Sequence, residues 1–302
     1  MVKEAKRQKN LKRQDMITAY AMLAPALLVL LTFILVPLGM ALQKSFYDWK
    51  FYGESRFIGL HNYTVILQNP YFRSAVVNVF KFVLILVPLQ IVLSFLIASM
   101  LRNMTRRASN MTKILLYTPC VLSGVVSSMI FLFFLDYNGG LFNQFFKLFG
   151  FPRQSFLIRP GSAVAVICLI MLWLGLGYNT LVTYAGLLSI PDEFYEAAMV
   201  DGAGVFSRLF QITLPSMKNY FVLLSIGLVS TTLQMLEIPM ILTNGGPQSK
   251  TLTPILYLFN NFRDMDKTMT YTITGAVLLM MVIAIINSFV FRVIKSEKLL
   301  DD

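Results

Sequence analysis

Six stretches of this chain carry no charged residue: Met16 to Leu42, Phe82 to Leu101, Ile114 to Leu135, Gly161 to Pro191, Asn219 to Leu236 and Thr268 to Phe291. Each is close to or above the ~18 to 20 residues that cross a hydrocarbon core of about 30 Å. The pattern predicts an all-α, polytopic membrane protein with six transmembrane helices. Composition agrees, because only 14% of the residues are charged, against about 25% in an ordinary soluble domain. The connecting segments are shorter than the ~50 residues a separate domain usually needs. The expected organisation is a basic cytoplasmic N-terminus over 1–15, a six-helix domain over 16–294 and a cytoplasmic tail over 295–302.

Charge placement sets the expected orientation. The net charge of +11 would point to nucleic acid in a soluble protein, but here the basic residues flank apolar spans. Lys3, Lys6, Arg7, Lys9, Lys12 and Arg13 precede the first span like a signal-peptide n-region. The uncharged run that follows exceeds the ~7 to 15 residues of an h-region, so a retained first helix is expected. The short 102–113 segment holds Arg102, Arg106, Arg107 and Lys113, and Arg208, Lys218, Arg292, Lys295 and Lys298 fall on the same side. The positive-inside rule then places both termini in the cytoplasm. Lys44, Lys50, Arg56, Arg73, Lys147, Arg153, Arg159, Lys250, Arg263 and Lys267 fall outside, and Lys81 sits at a helix edge where its stem can snorkel.

Little in the sequence points to catalysis. Cys120 and Cys168 lie within apolar spans, as small hydrophobes rather than a disulfide or a zinc site. The single histidine, His61, has no Cys, Asp or Glu at metal-ligand spacing, and an integral membrane enzyme would want a clustered set. Pro25, Pro37 and Pro88 read as tolerated kinks. The outer segments Ser45 to Tyr52, Phe57-Ile-Gly-Leu-His-Asn-Tyr63 and Asp136-Tyr-Asn-Gly-Gly-Leu-Phe142 are aromatic and fit an interfacial belt better than a ligand cage.

The segment between helices 4 and 5, residues 189–215, is unlike the other loops. Ser189 and Asp192 have capping-box spacing around Pro191, so a short helix is expected through Glu193 to Val200. Asp201-Gly-Ala-Gly204 then stops it, and Val205 to Ile212 reads as a second short helix before Pro215. A helix–glycine–helix at the membrane surface suits docking into another protein's groove, with Ala197 and Ala198 allowing close approach; an amphipathic helix resting on lipid has the same periodicity.

Glu196-Ala-Ala198, Gly202 and Ile212-Thr-Leu-Pro215 match the EAA motif of the membrane subunits of binding-protein-dependent ABC importers. Ala185 to Tyr195, Phe57 to Tyr63, Gly140-Leu-Phe-Asn143 and Leu242-Thr-Asn-Gly-Gly-Pro247 resemble the carbohydrate branch of that family. The Phe57 to Tyr63 element in particular is similar to the first of the two permeases of maltose- and glycerol-3-phosphate-type systems. The resemblance implies a type I ABC importer permease fold in the bacterial cytoplasmic (inner) membrane. It implies as partners a second homologous permease, an ATP-binding cassette ATPase dimer and an extracytoplasmic solute-binding protein. ATP and Mg2+ would belong to the partner ATPase, and this chain would bind no cofactor. Gly245-Gly-Pro-Gln-Ser-Lys-Thr251 lacks the second glycine of a phosphate-binding loop. Glu196, Ala197, Ala198, Asp201, Gly202, Ala203, Gly204, Ile212, Leu214 and Pro215 would couple the chain to the ATPase.

Polar residues within apolar spans are candidates for a solute path. Glu237 is the acidic one, three residues beyond Gln234 and thus expected on the same helix face, after Thr231 and Thr232. Tyr178 and Asn179, near Trp173 on helix 4, would supply an aromatic platform and hydroxyl-matching groups for a sugar. The alternative role for all of these is interhelical hydrogen bonding. An ion-coupled secondary carrier is the rival class, although such carriers usually keep several ionisable residues in their spans.

Overall fold

The computed structural model describes residues 2–49, 54–262 and 269–295. Lys50, Arg263, Lys267, Thr268 and Lys298, to which the sequence assigned positions, lie outside them. In chain order the helices are α1 (Val2–Leu30), α2 (Val36–Lys44), α3 (His61–Gln68), α4 (Pro70–Arg102), α5 (Arg106–Tyr117), α6 (Gly124–Phe134), α7 (Leu141–Leu148) and α8 (Pro160–Leu188). Then come α9 (Asp192–Val200), α10 (Val205–Arg208), α11 (Leu214–Ser216), α12 (Lys218–Leu233), α13 (Glu237–Thr243), α14 (Pro254–Phe262) and α15 (Met269–Lys295). Two short strands, β1 (Tyr47–Asp48) and β2 (Arg56–Phe57), pair antiparallel after α2.

Among the described residues, four helices are long and apolar enough to cross a membrane: Met16–Lys44, Pro70–Arg102, Pro160–Leu188 and Met269–Phe289. Two further spans expected from hydropathy are broken. The third is bent by 98° between Arg106–Val121 and Gly124–Phe134, and α12 is bent by 62° from the Val205–Ser216 helix before it. The first break has a local cause: Pro119 tightens Thr118–Val121 into a 3-10 turn, and Ser123 starts the next helix by accepting the Val126 N–H at 3.2 Å. Hydropathy measures transfer into lipid and is blind to such a change of direction.

Prolines leave a second signature. A π-helical turn over Leu31–Leu35 ends two residues before Pro37, and another over Leu209–Thr213 ends two residues before Pro215. The missing proline N–H and the bulk of its ring disturb the preceding turn, which widens so that Val36 and Leu214 donate five residues back, to Leu31 and Leu209. Pro25 and Pro88 lie inside continuous helices.

The chain divides into two compact units. In the first, residues 1–66 with 265–277, a knot of hydrogen bonds secures the end of α2. The Asn62 amide, almost fully buried, donates to the Ser45 and Tyr47 carbonyls at 2.9 Å each, and Ser45 Oγ lies 2.7 Å from the Tyr63 hydroxyl. Thr270 Oγ1 donates to the Trp49 carbonyl at 3.0 Å. The Phe57 to Tyr63 element therefore works here as a clasp, and Tyr63 is engaged in it instead of standing free as a belt residue.

The second unit, 67–264 with 278–302, is built on α4 packed along α8. Glycines on α8 also permit close approach of other helices: a Cβ on Gly177 would collide with the Leu116 carbonyl of α5, and one on Gly186 would lie 2.8 Å from Met217 and Tyr220 at the start of α12. Phe82, Leu86, Phe131, Ile167, Ile170 and Ile238 form its main apolar core. Asn143, buried in the α7 hairpin, receives the Gln154 N–H at 2.8 Å and donates to the Asp136 and Gln154 carbonyls.

Candidate functional site

The 189–215 segment forms two helices joined by a tight turn, with differences from expectation at both ends. Ser189 does not cap α9; its hydroxyl turns back to the Gly186 carbonyl at 2.8 Å, closing α8. Helix α9 begins at Asp192 behind Pro191 with no side-chain cap, and Asp192 and Glu193 in its first turn offset the positive end of the helix dipole. The second helix is regular only to Arg208, then passes through the π-turn into α11. At the bend Ala203 N–H returns to the Ala198 carbonyl at 2.8 Å, and Gly202 takes φ +78. A Cβ on Gly202 would meet nothing, so conformation and not space demands glycine there. Gly204 has an ordinary φ of −69.

The motif splits into a seated half and an open half. Ile212 packs on buried Leu187, Ile190 and Met217, the Tyr195 hydroxyl lies 3.0 Å from Thr213 Oγ1, and Arg102 reaches Asp192 at 2.6 Å while stacking over the Tyr195 ring. Leu214 is half-buried, and Ala203 too, while Pro215 and Asp201 are exposed. Glu196 and Ala197 stand exposed, with Ala198 half-buried, among Phe194, Met199, Val200, Phe206 and Phe210. Val200 is 89% exposed and Phe206 77%. Exposed apolar surface of this kind meets either another protein or lipid.

The candidate path residues divide as well. Tyr178, Asn179, Thr231 and Thr232 line one cavity of about 590 Å³ between α4, α8 and α12, within the ~300 to 1,000 Å³ typical of small-molecule sites. Asn179 spends an amide hydrogen on the Gly175 carbonyl at 2.9 Å, and Thr231 donates to the Gly227 and Leu228 carbonyls, which leaves their oxygens as acceptors. Sequence reasoning missed Gln90, a buried amide of α4 in the same wall, whose Nε2 faces Gly175. Its signal was available: it is the one carboxamide in the span 82–101. None of the lining residues is charged, so the cavity suits a neutral polar solute between apolar walls.

Trp173, Gln234 and Glu237 do not line it. Trp173 packs edge-on against Phe131 at 5.5 Å. Helix α12 ends at Leu233, so Gln234 is its C-cap, and Glu237 opens α13; the expected shared face does not exist. Glu237 instead lies against Gly124, where a Cβ would stand 2.5 Å from its Oε2, and its carboxylate meets the N-terminal end of α6.

A long α4–α8 pair, broken spans and an exposed double helix after α8 define a polytopic permease. Residues 73–297 match the family described as binding-protein-dependent transport system inner membrane component, and the chain belongs to that family. It is 33% identical to the sulfoquinovosyl glycerol transport system permease protein SmoG of Agrobacterium fabrum, over 82% of this chain and 80% of the relative. It is 30% identical to the trehalose/maltose transport system permease protein MalF of Thermococcus litoralis, over 84% and 86% respectively. A crystal structure of a bacterial ABC transporter involved in alginate import superposes with a TM-score of 0.80 at 22% identity, over 95% of this chain and 98% of that one, and so shares the fold. The chain is thus a multi-pass inner-membrane permease subunit of an ABC importer and not an enzyme. Family membership tells against the ion-coupled carrier.

Proposed function

We propose that this chain forms half of the translocation path for a carbohydrate or polyol-like solute and couples it to a separate ATPase through residues 189–215. The observation that carries the coupling role is the open half of the motif, an apolar double helix anchored to the end of α4 and uncovered within the chain. Six spans with both termini cytoplasmic, each bent pair counting as one, put that face on the ATPase side. Glu196 supplies a charged contact at its centre, Ala197 and Ala198 allow close seating, and the Gly202 turn sets the angle between the helices. Asp201, Ala203 and Gly204 complete the turn, while Ile212, Leu214 and Pro215 fasten it to α12. Closure of an ATPase dimer around ATP and Mg2+ would move the segment as a rigid body and, through α4 and α12, reshape the cavity.

The cavity's neutral amide and hydroxyl lining supports a polyhydroxylated cargo, as do the sugar-related names of the relatives. The partners would be a second homologous permease, the ATPase dimer and an extracytoplasmic solute-binding protein. The test is gentle purification of the tagged chain from native membranes, identification of what accompanies it, and solute uptake after reconstitution. Recovery of a second permease and an ATPase, with uptake requiring ATP, is the expected result. Uptake by the chain alone without ATP would overturn the proposal.

A further inference from the structure

A notch of about 400 Å³ lies between the end of α4 and the α9–α10 segment. Tyr195, Leu209 and Thr213 form one wall, whereas Phe194, Met199 and Phe206 of the exposed face do not line it. It is therefore distinct from the surface assigned to the ATPase. Two guanidinium groups reach it. Arg102 is engaged by Asp192 at 2.6 Å, and Asp192 is itself mostly exposed. Arg208 has no ion pair among the described residues, and its Nε is buried with no hydrogen-bond partner there.

A buried donor on a permanently charged group is costly to leave without an acceptor. No described residue supplies one: Arg208 Nε meets no acceptor, and the lining contains no carboxylate. What is missing is an anion. The planar guanidinium fork matches the oxygens of a phosphate, and Asn103 at the end of α4 adds an amide on the rim. We propose that this notch binds a phosphate oxyanion, borne by a soluble phosphorylated metabolite or by a phospholipid headgroup. Bound there, the anion bridges Arg208 of α10 to the end of α4 and restrains the segment, so that its occupancy regulates coupling.

The test is calorimetric titration of the full-length chain in dodecyl maltoside, at fixed ionic strength in chloride, with inorganic phosphate and separately with dioctanoyl phosphatidic acid. Saturable phosphate binding, weakened at least tenfold in Arg208→Gln, is the expected result. Asn103→Asp, which adds a carboxylate at the rim and keeps both arginines, should weaken it similarly and serves if the first variant does not fold. Phosphatidic acid binding at least tenfold tighter than phosphate assigns the site to lipid; equal or weaker binding assigns it to a soluble metabolite. No saturable binding of either probe, or wild-type binding by either folded variant, would overturn the proposal.

Discussion

The 189–215 segment and the cavity between α4, α8 and α12 lie in the same compact unit, yet they are written differently in the sequence. The segment is contiguous and exposed, and its shape depends on backbone features that few residue types satisfy, such as the positive φ of Gly202. The cavity is assembled from three helices distant in sequence, and amides or hydroxyls at several positions provide similar chemistry. As the proposed contact face, the segment would be held to a fixed spacing by its partner, whereas a cavity wall could be relined without disturbing the fold.

The difference is tested first at glycines, one on α8 outside the cavity lining and two in the turn. Gly177→Val should have the largest effect, because its side chain would strike the Leu116 backbone carbonyl. Overpacking of that kind costs about 1 to 3 kcal/mol or more, and the expected outcome is loss of folded chain from membranes, measured by detergent-resistant, size-homogeneous yield. Gly202→Val has open space but the wrong φ, a strain of order 1 to 3 kcal/mol. It should insert normally and lose at least tenfold in ATP-driven uptake, as should Glu196→Lys. Gly204→Ala is the control, since its φ of −69 and empty surroundings accept a methyl group. Equal impairment of Gly202→Val and Gly204→Ala would refute the conformational account of the turn.

The helical membrane class was legible because transfer free energy over some twenty residues leaves little alternative. Where the helices bend was less so: Pro119 and Ser123-Gly124 mark the break in the third span, but a hydropathy average passes through them. The same averaging carried the fifth span past Leu233 and put Glu237 on a helix it does not share with Gln234. Gln90 stands out as the one carboxamide of its span, but its place in the cavity wall follows from Gly175, eighty-five residues later, which leaves room for its amide. The split of the motif into an open half and a seated half is tertiary information, arising from Leu187, Ile190 and Met217 beneath Ile212.

The cavity invites milder substitutions. Asn179→Leu and Gln90→Leu each remove an amide from the wall while keeping roughly its volume. A lost solute hydrogen bond, worth about 0.5 to 1.5 kcal/mol, should raise the transport KM roughly threefold to tenfold, with assembly and ATP hydrolysis unchanged. A fall in kcat alone would indicate that the amides set helix packing instead of touching cargo.

The smallest effects are expected from the residues that hydropathy placed on the path and the fold places elsewhere. Trp173→Phe keeps an aromatic edge against Phe131, and Gln234→Ala alters an exposed helix cap. Neither side chain lines the cavity, so uptake KM should stay within twofold of the wild type. Glu237→Gln is the sharper member of this group. Its carboxylate meets the N-terminal end of α6, and neutralising such a charge at an exposed helix terminus costs about 0.3 to 1 kcal/mol. A small drop in thermal stability with unchanged solute affinity is the expected pattern, whereas a tenfold loss of affinity at constant stability would return Glu237 to the path and move the cavity's outer boundary to α13.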